Sequence, residues 1–175
     1  MLLCDREIKE LVRTHGLIEG FSEARLSSYG YDLALSKNFL IPQLNYEVSI
    51  VDPLNLKVKF RDFTGDFCII PPNSFILGCS LEWLNMPNDL TGICQGRSTY
   101  ARCGIITNTT PLEAGWRGRV TIEISSTNQL PSKVYANKGI VQVLFLKGGS
   151  LPDRTYTEKG GRYQNQEGIT LPKGL

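Results

Sequence analysis

Histidine is nearly missing: among 175 residues there is one, His15. A protein zinc site of the hydrolytic or deaminase kind draws on His and Cys ligands at set spacings. The five cysteines, Cys4, Cys68, Cys79, Cys94 and Cys103, contain no Cys-x-x-Cys pair. These gaps argue against protein-bound zinc. They also argue against a histidine base other than His15, which falls near the end of an expected helix and reads there as a surface residue. An odd, scattered cysteine set points to reduced thiols rather than a disulfide framework. No apolar run is long enough to span a bilayer, so no membrane partner is expected. The stretch Met1 to Glu7 reaches charged residues at once, without the apolar core of a signal peptide. The expectation is a cytoplasmic protein. Net charge is small too, formally +2. That speaks against a general nucleic-acid binder, so any anion site must come from a local basic cluster.

Apolar residues make up 41% and charged residues 21%, ordinary for a globular chain. The length suits a single domain over residues 1–175. Residues 5–15 read as a helix, with Asp5 as N-cap, Ile8, Leu11 and Val12 on one face, and Gly16 to end it. Beyond it the helical period disappears. Short β-like runs follow at Tyr31–Leu35, Phe39–Ile41, Glu47–Val51, Phe67–Ile70, Ser74–Cys79, Leu90–Gln95, Arg119–Ser125, Lys133–Tyr135 and Ile140–Leu146. Breakers such as Pro71-Pro72-Asn73, Pro87-Asn88-Asp89 and Asn137-Lys138-Gly139 separate many of them. This spacing, without strand–helix alternation, predicts a mainly β sandwich or barrel with a short N-terminal helix. Residues 148–175 are polar and rich in Gly and Pro, and read as an extended tail.

Three segments carry groups suited to chemistry. In Gln95-Gly96-Arg97-Ser98-Thr99-Tyr100-Ala101-Arg102, two arginines flank two hydroxyls after a glycine. Guanidinium forks and hydroxyl donors suit a phosphate chain, although the Gly-x-x-x-x-Gly-Lys phosphate loop is absent and a solvated turn has the same composition. In Arg119-Val120-Thr121-Ile122-Glu123-Ile124-Ser125, strand alternation puts Val120, Ile122 and Ile124 on one face and Thr121, Glu123 and Ser125 on the other. Glu123 then looks either into solvent on a half-exposed sheet or into a polar cavity, where desolvation would suit it to proton transfer. In the tail, Tyr156 and Gly160-Gly161-Arg162-Tyr163-Gln164-Asn165-Gln166 could hinge over a nucleotide or form a loose terminus.

Taken together these segments resemble the dCTP deaminases, relatives of the trimeric dUTPases, over nearly the whole chain. The likeness is carried by Ser27-Ser28-Tyr29-Gly30-Tyr31-Asp32, by Cys68 to Phe75, by Gly96-Arg97-Ser98-Thr99-Tyr100-Ala101-Arg102-Cys103-Gly104 and by Trp116 to Glu123. It continues through Tyr135-Ala136-Asn137 and Gly161 to Gly168. The resemblance implies a dUTPase-like distorted jelly roll or β-barrel, assembled as a homotrimer with active sites between subunits. It implies zinc-free deamination of dCTP to dUTP and ammonia, with Mg²⁺ on the triphosphate and no metal ligands from the protein. It further implies dTTP as a feedback inhibitor. On the matching positions, Glu123 is the catalytic carboxylate, while Arg102 and Ser98 hold and polarise the reacting water or ring. Arg97, Ser98 and Thr99 contact the triphosphate, and the backbone near Thr121 and Ile122 reads the base edge. Gln142, Tyr156, Arg162 and Gln166 contact the nucleotide, the last three from a tail that closes over it.

Two positions depart from the pattern. Many relatives have Ile-Asp before the Gly-Trp or Gly-Phe turn, where this chain has Leu112-Glu113-Ala114-Gly115-Trp116; the aspartate contacts the deoxyribose in dUTPases, and Glu113 either makes that contact with a longer reach or does not make it. Thr109-Thr110 stands where monofunctional deaminases carry Val-Thr, which brings in a bifunctional alternative that converts dCTP to dUMP, ammonia and pyrophosphate. A catalytically silent nucleotide-binding regulator is a third reading, opposed by the presence of Glu123, Arg102 and Ser98.

Overall fold

The computed structural model describes residues 1–43 and 49–174. Helix α1 (Asp5–His15) spans the expected residues and ends at Gly16, whose φ of 63° is left-handed. Its N-cap is Cys4, one residue before the expected Asp5. The Glu7 carboxylate accepts the Cys4 backbone N–H at 2.9 Å, and this closes a capping box with Cys4 in the place of the usual hydroxyl.

Among the described residues thirteen strands follow: β1 (Ile18–Glu19), β2 (Leu26–Ser27), β3 (Gly30–Pro42), β4 (Phe60–Thr64), β5 (Phe67–Ile70), β6 (Phe75–Ser80), β7 (Trp83–Asn85), β8 (Leu90–Gly96), β9 (Ile105–Asn108), β10 (Arg117–Gly118), β11 (Thr121–Ser126), β12 (Ser132–Tyr135) and β13 (Gly139–Lys147). A one-turn helix, α2 (Ser98–Ala101), joins β8 to β9. The main sheet has eight strands. Six run in the order β8-β13-β3-β6-β11-β9, and β2 and β4 pair with β3 off that path. It curls into a nearly closed barrel: a β-carbon on Gly96 of β8 would meet the Thr107 hydroxyl of β9 at 2.8 Å. Two smaller sheets, β1-β7-β10 and β12-β5, complete the body.

The mainly β expectation holds, and the differences lie in detail. Tyr31–Leu35 and Phe39–Ile41 belong to one thirteen-residue strand, β3, whose register against β6 shifts between Leu35 and Phe39. The shift passes Ser36-Lys37-Asn38, where the Ser36 hydroxyl accepts the Asn38 N–H at 3.3 Å. Of the expected strand Glu47–Val51, Glu47 and Val48 lie outside the described residues, and 49–51 form no strand.

The barrel interior is filled by fully buried Tyr31, Leu33, Leu35, Phe39, Ile76, Ile122, Ile124, Val143 and Phe145, with Ile8 of α1 in the same core. One charge is fully buried beside them. Glu82 accepts from the Arg25 guanidinium, from the Tyr31 hydroxyl at 3.3 Å and from the Ala34 backbone N–H at 3.0 Å. Burial pushes its pKa up in spite of these partners.

Candidate active site

Strand β11 shows the expected alternation. Ile122 and Ile124 are fully buried, and Thr121, Glu123 and Ser125 lie on the opposite, half-buried face. That face lines a cavity of about 890 Å³, within the usual size of a small-molecule site. Thr121 and Glu123 form one wall. Asn108, Thr109 and Thr110 form the next, because β9 pairs with β11 in a register that sets Asn108 opposite Glu123. Glu113, Trp116, Tyr156, Tyr163 and Gln166 surround the polar end, while Phe60, Phe75 and Leu77 supply an apolar floor. Burial holds the Glu123 carboxyl above the ordinary glutamate value, opposed by a hydrogen bond from Ser125. Of the two sequence readings of Glu123, the cavity is the one found.

The tail is seated on this cavity rather than loose. The Trp116 indole N–H donates to the Tyr163 carbonyl at 2.8 Å, and the Gln164 amide donates to the Gly115 carbonyl at 3.0 Å. Gln166 runs beside Gly118, and its carbonyl accepts the Arg119 N–H at 2.8 Å. The Thr121 hydroxyl donates to Gln166 Oε1 at 3.3 Å and accepts the Thr170 N–H at 3.1 Å. The Tyr156 hydroxyl accepts the Tyr163 N–H at 3.0 Å. Among the expected tail contacts, Tyr156 and Gln166 line the cavity. Arg162 does not; its guanidinium donates to the Gly174 carbonyl at 2.7 Å. Glu113 reaches the cavity and pairs there with Lys159 at 3.3 Å.

The remaining expected residues lie elsewhere on the chain. Arg97, Ser98, Thr99 and Arg102 are exposed on and around α2, and none lines the cavity that holds Glu123. Arg97 forms an ion pair with Asp32 at 3.1 Å. Gln142, on β13, donates to the Ser27 hydroxyl at 2.8 Å. The Ile122 side chain is fully buried in the core, and Ile122 is not among the residues that line the cavity. Sequence reasoning missed Asn108 and Thr170 as cavity residues, named Tyr163 only as part of the tail segment, and missed Asp32 as the partner of Arg97. The signal for Asn108 is pairing register, and no local pattern displays that.

The family model for dCTP deaminase-like proteins matches residues 2–148. The chain belongs to that family. A dCTP deaminase of Campylobacter lari is 50% identical over 99% of this chain and 98% of its own. A dCTP deaminase of Herpetosiphon aurantiacus is 48% identical over 97% of both. Among solved structures, the 2'-deoxycytidine 5'-triphosphate deaminase of Agrobacterium tumefaciens superposes with a TM-score of 0.67 at 17% identity, covering 87% of this chain and 50% of the other. The native EIAV dUTPase superposes at 0.50 and 14% identity, covering 79% and 88%. At such identities these structures establish the dUTPase-like fold of the family and nothing finer.

Proposed function

We propose that this chain hydrolytically deaminates the cytosine ring of dCTP to give dUTP and ammonia, without zinc. The observation that carries the reading is Glu123. It is a carboxylate in mid-strand with a raised pKa, facing a nucleotide-sized cavity lined in part by tail residues, in a chain near half identical to dCTP deaminases along its length. A carboxylate whose pKa is raised by burial takes up a proton more readily than an exposed one and can give it back. Glu123 accepts a proton from the attacking water and the oxygen bonds to cytosine C4. That proton is relayed to N3; Glu123 then takes the proton of the new C4 hydroxyl and passes it to N4, and the C4–N4 bond breaks to release ammonia as C4 becomes a carbonyl. Thr121 and the Ile122 backbone read the base edge, and Glu113 takes the sugar side.

The anion-binding set of Arg97, Ser98 and Thr99, with Ser98 and Arg102 nearer the chemistry, comes in this reading from a neighbouring copy in a homotrimer. Exposed Ile93 and Ile106 on the two end strands, β8 and β9, offer apolar area for that association. Mg²⁺ travels on the substrate's phosphates. Among the described residues no three His, Cys, Asp or Glu side chains gather to hold an ion. In this reading dTTP competes for the same cavity as a feedback ligand. No described helix is long and apolar enough to cross a membrane, and a cytoplasmic place suits a nucleotide-pool enzyme.

A second reading adds diphosphatase activity, giving dUMP and pyrophosphate. It rests on Thr109, Thr110 and Glu113, all at the cavity. One incubation with dCTP and Mg²⁺, resolving dUTP, dUMP, ammonia and pyrophosphate, separates them. Ammonia with dUTP supports deamination alone, and ammonia with dUMP and pyrophosphate supports the bifunctional enzyme. Binding without turnover leaves the silent regulator. Glu123→Gln is expected to bind dCTP and lose about 10³-fold or more in kcat; full activity would overturn the base assignment.

A further inference from the structure

A polar row crosses an otherwise apolar part of the barrel. Gln142 of β13 stands opposite Asp32 of β3 and opposite Gln95 of β8. Directly paired residues on antiparallel strands share a face, so the three side chains lie side by side. Gln142 Nε2 donates to Ser27 Oγ at 2.8 Å and to Asp32 Oδ1 at 3.5 Å. The other carboxylate oxygen, Asp32 Oδ2, pairs with Arg97 Nε at 3.1 Å, and the Asp32 side chain is only 16% exposed. Arg97 is held at two further points: Nη1 donates to the Gly139 carbonyl at 3.4 Å, and its backbone N–H donates to the Ile140 carbonyl at 3.2 Å. Gly139 is itself required by this packing, since a β-carbon there would lie 3.0 Å from both Arg97 Nη1 and Asp32 Cβ.

We infer that Asp32 is a positioning residue that acts through Arg97, fixing the guanidinium by its Nε edge so that the outer nitrogens meet the substrate's phosphates. The inference rests on the proposed triphosphate role of Arg97. Beside a phosphate site an unpaired carboxylate would add repulsion, but Asp32 is neutralised by its pair with Arg97, and Mg²⁺ on the phosphates offsets the ligand's own charge. The place of Asp32 behind the arginine makes sense if it orients the fork. A planar guanidinium held at one edge keeps its other donors aimed for two-point contact, and a long free side chain loses rotamer freedom on every binding event.

The test uses steady-state kinetics of the full-length protein with dCTP and Mg²⁺, alongside thermal melts. Arg97→Gln is expected to raise KM for dCTP by about a hundredfold, and Asp32→Asn by about tenfold with kcat held within about twofold. In the Arg97→Gln background Asp32→Asn should add nothing, because the two act as one unit. Arg97→Lys keeps the charge but has no Nε–H for Asp32, and being an exposed change it tests the idea even if Asp32→Asn fails to fold. It should raise KM nearly as much as Arg97→Gln. Near wild-type KM in Arg97→Lys, or effects of Asp32→Asn that multiply undiminished with Arg97→Gln, overturns the positioning role. If Arg97→Gln itself leaves KM unchanged, the triphosphate reading fails, and this inference fails with it.

Discussion

The ring of Tyr156 occupies the place that a β-carbon on Gly161 would need, with the nearest ring atom 2.1 Å from it. Tail closure therefore depends on a residue without a side chain at position 161. Gly161→Ala should push the ring aside, break the Tyr163 N–H contact to the Tyr156 hydroxyl and loosen the segment that carries Gln166. We expect kcat/KM for dCTP to fall by about 10- to 100-fold, with the melting temperature nearly unchanged. Limited proteolysis should cut the tail faster in the variant. An unchanged digestion pattern with unchanged kinetics would show that the ring contact does not hold the tail.

Glu123 links activity and stability with opposite signs. Its folded-state pKa is raised by burial above the ordinary glutamate value. A group raised on folding contributes stability that is complete below its unfolded pKa and lost as pH climbs through the folded pKa. The uncharged amide of Glu123→Gln has no such dependence. The variant should thus gain melting temperature relative to the wild type as pH climbs above the ordinary glutamate range, while its deamination is lost. In the wild type, kcat should rise with pH across the raised pKa, because the base must be ionised to accept a proton. A melting difference that is flat with pH would argue against a buried, ionised Glu123.

Glu82 and Arg25 form a pair in which one partner has no contact with water and the other retains a little. Removing the cation strands a buried carboxylate. Arg25→Ala should cost about 3 kcal/mol, or ~6–12 °C in Tm. Because burial already raises the Glu82 pKa, loss of Arg25 raises it further, and the deficit should grow as pH rises. Adding Glu82→Gln to Arg25→Ala should recover part of the loss. Calorimetry at two pH values checks both signs.

The sequence displays what periodicity encodes. Strand β11 is legible because Ile122 and Ile124 alternate with Thr121, Glu123 and Ser125, and the cavity-facing carboxylate follows from that alternation. Strand β3 reads as two pieces because Ser36-Lys37-Asn38 interrupts its apolar pattern, although the backbone continues through them. Strand β4, Phe-Arg-Asp-Phe-Thr, is too polar to stand out and forms only because β3 offers it an edge. The seating of the tail is written in the Gln164 amide and Trp116 indole donors and in the Gln166 oxygens that accept, and no pattern of hydrophobicity reports those. Nor does proximity along the chain show that the exposed arginines near α2 and the carboxylate on β11 face different spaces.

That last separation makes the two halves exchangeable. On the proposed reading each working centre takes its cavity from one chain and its α2 from another. Two individually dead proteins, Glu123→Gln and Arg102→Ala, should then revive when unfolded together and refolded as hybrids. Random mixing in equal parts leaves about one quarter of the centres with both intact contributions, so about that fraction of wild-type activity is expected. Hybrids with no activity would mean that each chain works with its own arginine.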